Sequence, residues 1–499
     1  MNATRRAATP QDIAVVGGGM AGMLAALVLA RDGHSVTVYE RDDTDLPATA
    51  DEAFEQWDRR GSPHARQSHA LLARLRRFLC DRAPDVLDAL REQGATELSI
   101  EQILPPDIID REPRDGDDEL AILCCRRLTI EWVLRKAVTA EPGVTWRGGV
   151  RVEGLLADGT GGTDAPRATS VRGLRLDDGT TLEADLVVVA GGRSTPVLDW
   201  LAELGATEPG EEHSEAGIIY LSRFYRLRDG RTLPVLTKAG AGGDLGYLAF
   251  AGFYGDNQTF SITLGIPTGD RELLKLRDVD AWEAAIRTLV PLEPWTEDGL
   301  ADPISDVESM ARLQNRIRRF VVDGEPVATG LVVIGDAAVV TNPWYGKGCS
   351  IAGIGAEALS DALIRHGGDR VAVAHAMDEA VRNEMEPHYR MACRQDADRS
   401  SLHAALQGRA EPDPAAVATR DFVVNGLIPA TRVDPDVFRA FFRSFNMLDD
   451  PTALFADPKV MAAAGAAHAS KDERPPLPEL GLPRDDLLVV ASNARSHGR

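Results

Sequence analysis

Two groups of residues, more than three hundred positions apart, have the types and spacing to grip one dinucleotide. Gly17-x-Gly19-x-x-Gly22 follows the apolar run Ile13-Ala14-Val15-Val16. The first glycine permits a tight turn, the second lets the backbone approach a pyrophosphate, and the third lets helix and strand pack closely. Free amides near Met20 and Ala21, at the positive end of the following helix, would hold the pyrophosphate. Glu40 ends the next strand, where its carboxylate can accept both hydroxyls of an adenosine ribose. Far downstream, Val333-Ile334-Gly335-Asp336-Ala337 places an aspartate at a strand end, within reach of a ribityl hydroxyl. Pro343-Trp344-Tyr345-Gly346-Lys347-Gly348 is too rich in Pro and Gly for a regular element. A helix from about Ser350 would aim its amino end at a flavin ring and stabilise the anionic N1–C2=O edge of the reduced form. A dinucleotide held at both ends by distant parts of one chain predicts non-covalent FAD. Lys347 would either stabilise a flavin anion or peroxide, or stand solvated at the loop's rim.

These residues need a scaffold. Ile13 to Glu40 reads as β-α-β, with Ser35–Tyr39 as the second strand. Asp42 to Arg60 reads as a polar loop, Gln67 to Ala89 as an amphipathic helix, Glu112 to Glu119 as a charged loop and Leu128 to Ala140 as a second amphipathic helix. Val144 to Val189 reads as a strand meander with a Gly/Pro-rich hairpin tip from Gly159 to Ala168. Ala184 to Ser194 is a buried strand ending in Ala190-Gly191-Gly192, where another backbone or a cofactor passes close, or where a helix merely packs. Ala216 to Pro267 changes texture to a separate sheet, Ile351 to His366 is a helix, and the chain is mostly helical to about Ala466. The tail after Lys471 is Pro-rich and reads as poorly ordered. The expected fold is α/β: a Rossmann-like, three-layer ββα FAD domain (1–200 plus 325–370), a second mixed or antiparallel sheet for substrate (201–324), a helical C-terminal region (371–470) and the tail (471–499).

Bulk properties narrow the partners. The chain has 499 residues, enough for more than one domain. A net charge of -22 argues against nucleic acid and against an anionic membrane surface. Five scattered cysteines, none in a CxxC or a Cys/His metal spacing, fit a reducing cytoplasm without structural zinc. Arg5 and Arg6 before the apolar run Ile13 to Ala30 imitate a signal peptide. The strand and Glu40 that follow are explained only by β-α-β, so no export signal and no membrane span are expected.

These patches, in this order, resemble the FAD-dependent monooxygenases of the para-hydroxybenzoate-hydroxylase type, and within them the bacterial alkene epoxidases of polyether biosynthesis. Arg66-Gln67-Ser68-His69-Ala70-Leu71-Leu72, Arg127-Leu128-Thr129-Ile130-Glu131-Trp132-x-x-Arg135, Asp185 to Leu201, Tyr220-x-Ser222-Arg223-x-Tyr225-Arg226 and Asn342-Pro343-x-Tyr345-Gly346 carry the likeness. By position, the resemblance implies that Arg41, Arg66 and Arg127 contact FAD, that Asp336 holds the ribityl chain, and that Pro343, Gly346, Lys347 and Gly348 face the isoalloxazine. It implies oxygen transfer through a flavin C4a-hydroperoxide to an alkene, or to an aromatic ring, of a secondary metabolite such as an antibiotic precursor. It implies an apolar pocket and no side-chain nucleophile. Tyr220, Arg223, Tyr225, Phe250, Trp344 and Tyr345 are the substrate candidates, with Tyr247, Phe253 and Phe260 beside them. Lys347 replaces a common glutamine, and Ala190-Gly191-Gly192 departs from the usual Ala-Thr-Gly or Ala-Asp-Gly. Electrons would therefore come either from NAD(P)H docking on this chain or from a separate flavin reductase. A monomer or homodimer is expected. A flavin-dependent alkene reductase or dehydrogenase is the main rival, kept open by Lys347. A halogenase would carry Trp-x-Trp-x-Ile-Pro, and none of the seven tryptophans sits in one. A non-catalytic flavin-binding protein is the third.

Overall fold

A computed structural model describes residues 7, 9–62, 64–69, 71–158, 168–234, 241–475 and 479–497. The chain starts with strand β1 (Asp12–Val16), helix α1 (Met20–Arg31) and strand β2 (Ser35–Tyr39). Helices α2 (Ala50–Gln56), α3 (Ala73–Arg82) and α4 (Arg127–Ala140) follow, then strands β3 (Val144–Arg147) and β4 (Leu186–Val189). The second sheet is built on β5 (Ile218–Leu227), β6 (Ala249–Tyr254) and β7 (Thr259–Pro267), covered by α5 (Val279–Ile286). The chain returns through β8 (Gln314–Arg319) and β9 (Leu331–Val333) into α6 (Gly348–His366) and α7 (Glu386–Leu406), and finishes with α8 (Arg484–His497).

The first sheet is parallel, in the order β9-β4-β1-β2-β3. Strands β9, β4 and β1 are apolar save Asp12, because both faces of that part of the sheet are covered. One face packs on α1, α4 and α6 through Val15, Leu24, Leu27, Leu134 and Ala356. The other carries Val16, Val187, Val189 and Val333 against an antiparallel meander that includes Thr169–Leu176. The second sheet is antiparallel, with β7 between β6 and β5. Arg126 and Asp256, both buried, bind the two parts together: Asp256 Oδ2 lies 2.6 Å from Arg126 Nη2 and accepts from Thr129 Oγ1 at 2.8 Å.

Several sequence expectations change here. Residues 67–69, 71 and 72 are not helical: Leu71 bridges to Leu123, α3 begins at Ala73, and Pro84 starts a new helix, Pro84–Glu92. The expected loop from Asp42 to Arg60 contains α2, capped by Thr49, whose hydroxyl accepts from the Glu52 amide at 3.1 Å. The tail is not structureless, because α8 seats Leu487 and Ala491 on Trp282 and Ala285 of α5. The hairpin tip expected at 159–168 lies outside the described residues save for Ala168. No described helix is long and apolar enough to cross a membrane.

Candidate functional site

Register builds the site. Val16 pairs with Val189, and Val189 with Val333, so β1, β4 and β9 end level. The turns that follow them emerge side by side at the carboxyl edge of the sheet, where open α/β sheets bind ligands. Gly17 has φ +102°, and a Cβ there would lie 2.7 Å from the Gly191 Cα. The small residues after β4 thus admit the glycine turn itself. A Cβ on Gly22 would overlap the Gly17 carbonyl oxygen. On Gly335 it would lie 2.6 Å from the Ala21 Cβ, so the late Gly-Asp turn touches the first turn of α1. The two motifs meet.

Around Gly19 the space is open, with nothing within 4 Å of a Cβ. No described residue accepts a hydrogen bond from the Met20 or Ala21 amide. Glu40 is buried, its Oε2 accepting from the Gly18 amide at 2.7 Å and its Oε1 from the Asp42 amide at 3.0 Å. Each oxygen keeps a second lone pair for a ribose hydroxyl. Trp146, at the end of β3, covers Gly18, and the Arg135 guanidinium lies 3.1 Å from its ring centroid.

The arginines divide. Arg127 is buried and donates to Glu131 Oε1 at 2.7 Å and to the Cys349 thiol at the start of α6 at 2.7 Å. It therefore sits between the two motifs. Arg66 is instead turned to the end of α2, donating to the Phe54 and Glu55 carbonyls at 3.0 and 3.2 Å, and Arg41 is exposed. Arg59, to which the sequence assigned no role, occupies the phosphate turn: it donates to the Gly18 carbonyl at 3.0 Å and to Glu131 Oε2 at 3.1 Å. Arg316 ties two of the turns together by donating to the Arg193 carbonyl at 2.8 Å and to the Asp336 carbonyl at 3.1 Å. The Asp336 carboxylate faces the amino end of α6, 3.9 Å from where a Gly348 Cβ would stand.

Glu131 is 0 % exposed; burial opposes its charge, but Arg127 and Arg59 prevail and hold the carboxyl down at about 2. A depressed carboxyl contributes stability above its unfolded value and loses it as pH falls from about 4.5 toward 2. Glu131→Gln is expected to cost about 3–5 kcal/mol at pH 7, because it takes the paired carboxylate from buried Arg127 and leaves buried Arg59 only the longer contacts to Asp42 and Glu40. It is also expected to flatten the acid limb of a stability–pH curve measured by urea unfolding.

The 342–348 loop is held from behind. Asn342 is 0 % exposed; its Oδ1 accepts from the Tyr220 hydroxyl and, at 3.1 Å, from the Trp344 amide. Its Nδ2 donates to Asp396 Oδ1 at 2.8 Å, and the Asn315 side chain bridges the Asn342 amide at 2.7 Å to Asp396 Oδ2 at 2.7 Å. The Tyr345 hydroxyl also donates to Asp396 at 2.8 Å, and Arg399 pairs with the same carboxylate. Asn315, Asp396 and Arg399 went unnoticed in the sequence, since only folding brings β8 and α7 to the loop. Asp396→Ala strips the loop of this anchor. The expected loss is about 3–5 kcal/mol, with faster amide exchange at residues 342–348 read by hydrogen–deuterium mass spectrometry.

Lys347 is not a solvated rim residue. It is 5 % exposed, its Nζ lies 5.6 Å from the Tyr345 ring centroid, and no described carboxylate pairs with it. Burial pushes its ammonium down to about 8.

Alternation on β5 sorts the substrate candidates. Tyr220, Ser222 and Phe224 face the first domain: Tyr220 stacks on Trp344 with centroids 5.7 Å apart, Ser222 donates to Gln67 at 2.8 Å, and Phe224 meets Phe54. Tyr225 points the other way, into a core with Phe250, Phe260 and Trp282, and Arg223 pairs with Glu283 at 2.6 Å. Arg223, Tyr225 and Phe250 therefore lie on the far side of the sheet from the loop. Phe253 pairs with Ser261 in register and shares the near face. That face is not simply apolar: Ser68 Oγ is bonded to Ser261 and Thr263, each at 2.7 Å.

Residues 12–214 match the family model DAO, FAD dependent oxidoreductase. Over that stretch the chain folds as an FAD-binding, Rossmann-like domain. The chain is 28 % identical over 491 residues to Protein Rv3254 of Mycobacterium tuberculosis, covering 92 % of this chain and 93 % of the relative. Among solved structures it is similar to PqsL of Pseudomonas aeruginosa, described as a probable FAD-dependent monooxygenase, with TM-score 0.52 and 16 % identity over 79 % of this chain and 96 % of that one. It is also similar to the flavin-dependent brominase Bmp2, with TM-score 0.52 and 16 % identity over 83 % and 98 % of the two chains. The residues of this Rossmann-like domain fit FAD: the space before Gly19 and the free amides of α1 suit a pyrophosphate, and Asp336 with the amino end of α6 suits the ribityl–flavin half.

Proposed function

We propose that this chain is an FAD-dependent monooxygenase that places one atom of dioxygen on an alkene, or on an aromatic ring, of a secondary metabolite. The observation that carries the reading is the meeting of Gly335 with Ala21, which brings the Gly17–Gly22 turn and the Gly335-Asp336 turn to one edge. FAD, when bound, supplies the activation of dioxygen. Gly17, Gly19, Met20, Ala21, Gly22 and Glu40 would hold its adenosine and pyrophosphate. Arg59 and Arg127 would neutralise phosphate or ribityl oxygens, beside the Arg41 and Arg66 that the resemblance implies. Asp336 would fix the ribityl chain, and Pro343, Gly346, Lys347 and Gly348 would back the flavin ring, Lys347 offering positive charge to its reduced form. Tyr220 and Trp344 would border the substrate, which the second sheet shields from water. Electrons would come from NAD(P)H or from a separate reductase.

The test is to reduce the purified flavoprotein, with NADPH or with an added flavin reductase, and expose it to labelled dioxygen with panels of alkenes and phenols. One labelled oxygen atom in a product is expected. Substrate reduction or halogenation without labelled oxygen would favour the reductase or halogenase reading instead.

A further inference from the structure

His69 lies on the segment that joins the cofactor edge to the second sheet. Its neighbour Ser68 is bonded to Ser261 and Thr263 of that sheet, while its ring stands 5.7 Å from the His64 ring, among the charges of Arg127 and Glu131. Its Nδ1 lies 2.8 Å from the Gln67 carbonyl oxygen. A carbonyl can only accept, so Nδ1 carries the proton and Nε2 presents a lone pair. Its one hydrogen bond among the described residues is the Nδ1 contact, and none reaches Nε2. The side chain keeps some accessible surface, yet burial, with Arg127 and His64 beside it, pushes the imidazole down to about 3. Such a ring stays neutral across the working pH range and accepts a hydrogen bond without taking the proton.

We infer that His69 Nε2 is a specificity-determining acceptor that selects substrates carrying an O–H donor, a phenol or an alcohol, beside the carbon to be oxygenated. This rests on the monooxygenase reading and narrows it: the pocket is not a featureless apolar one, and a ligand without a donor leaves a desolvated lone pair unmet.

The test uses the FAD-loaded protein with phenol and anisole as probes, binding being read by perturbation of the flavin absorbance and FAD retention by dialysis. Wild type is expected to bind phenol roughly tenfold tighter than anisole. His69→Phe is expected to abolish the preference with FAD retention unchanged, and His69→Gln, which keeps an acceptor oxygen, to restore it. A preference that survives in His69→Phe, or one absent from flavin-loaded wild type, overturns the inference alone. So does loss of FAD from His69→Phe, since His69 would then hold the cofactor. Wild type that retains no FAD overturns the monooxygenase reading itself, and the inference with it.

Discussion

Gly19→Ala is expected to leave the flavin-free protein as stable as wild type and to weaken FAD binding by at least about 100-fold. Gly19 has φ −82° and ψ −171°, extended backbone that alanine adopts freely, and a Cβ there meets nothing. The methyl group harms no contact of the fold, so unfolding should shift by no more than about 0.5 kcal/mol. It would, however, fill the space in front of α1 where a pyrophosphate must reach the helix amides. Gly22→Ala is the contrasting variant. Its Cβ would overlap the Gly17 carbonyl oxygen, a backbone atom that cannot swing aside, so both folding and FAD binding should suffer. Urea unfolding of flavin-free protein and equilibrium dialysis of FAD separate the two outcomes. Gly19→Ala that binds FAD like wild type would mean that the pyrophosphate lies elsewhere.

Lys347→Met should stabilise the flavin-free protein at pH 7 by about 3 kcal/mol. The lysine is 5 % exposed and is pushed from 10.5 down to about 8, and each pKa unit corresponds to about 1.4 kcal/mol. The sign follows from proton binding. Between about pH 8 and 10.5 the unfolded lysine holds a proton that the folded one has lost. The lysine's penalty is therefore full below about pH 8 and fades as pH rises through that window. The difference between variant and wild type, measured by urea unfolding from pH 7 to 10, should shrink accordingly. In the FAD-loaded protein, Lys347→Met should lower the flavin midpoint potential, because a cation near the reduced, anionic ring is lost. An unchanged potential would leave Lys347 as a buried charge with no part in the chemistry.

Lys347 also shows where sequence reading stopped. Its position inside the Pro/Gly loop marked it as close to the cofactor, but its burial, with His388 of α7 close enough to feel its charge, shows only in the folded chain. The same holds for Asn315 and Asp396, ordinary polar residues until β8 and α7 converge on Asn342. Arg59 was hidden by a polar stretch that looked like a plain loop. That Arg66 caps the carbonyl end of α2 is likewise visible only in the folded chain.

Local pattern alone determined the β-α-β unit, the glycine turn with its following acid, the Gly-Asp turn and the helix after the Pro/Gly loop. These depend on steric freedom at glycine and on hydrophobic period, which neighbouring residues set. Only tertiary structure decided which strand face Tyr220 and Tyr225 present, which arginines reach the turns, and which carboxylate anchors the loop. Those answers depend on register between distant strands and on ion pairs formed across long loops, where any acid and any base look alike until the chain brings them together.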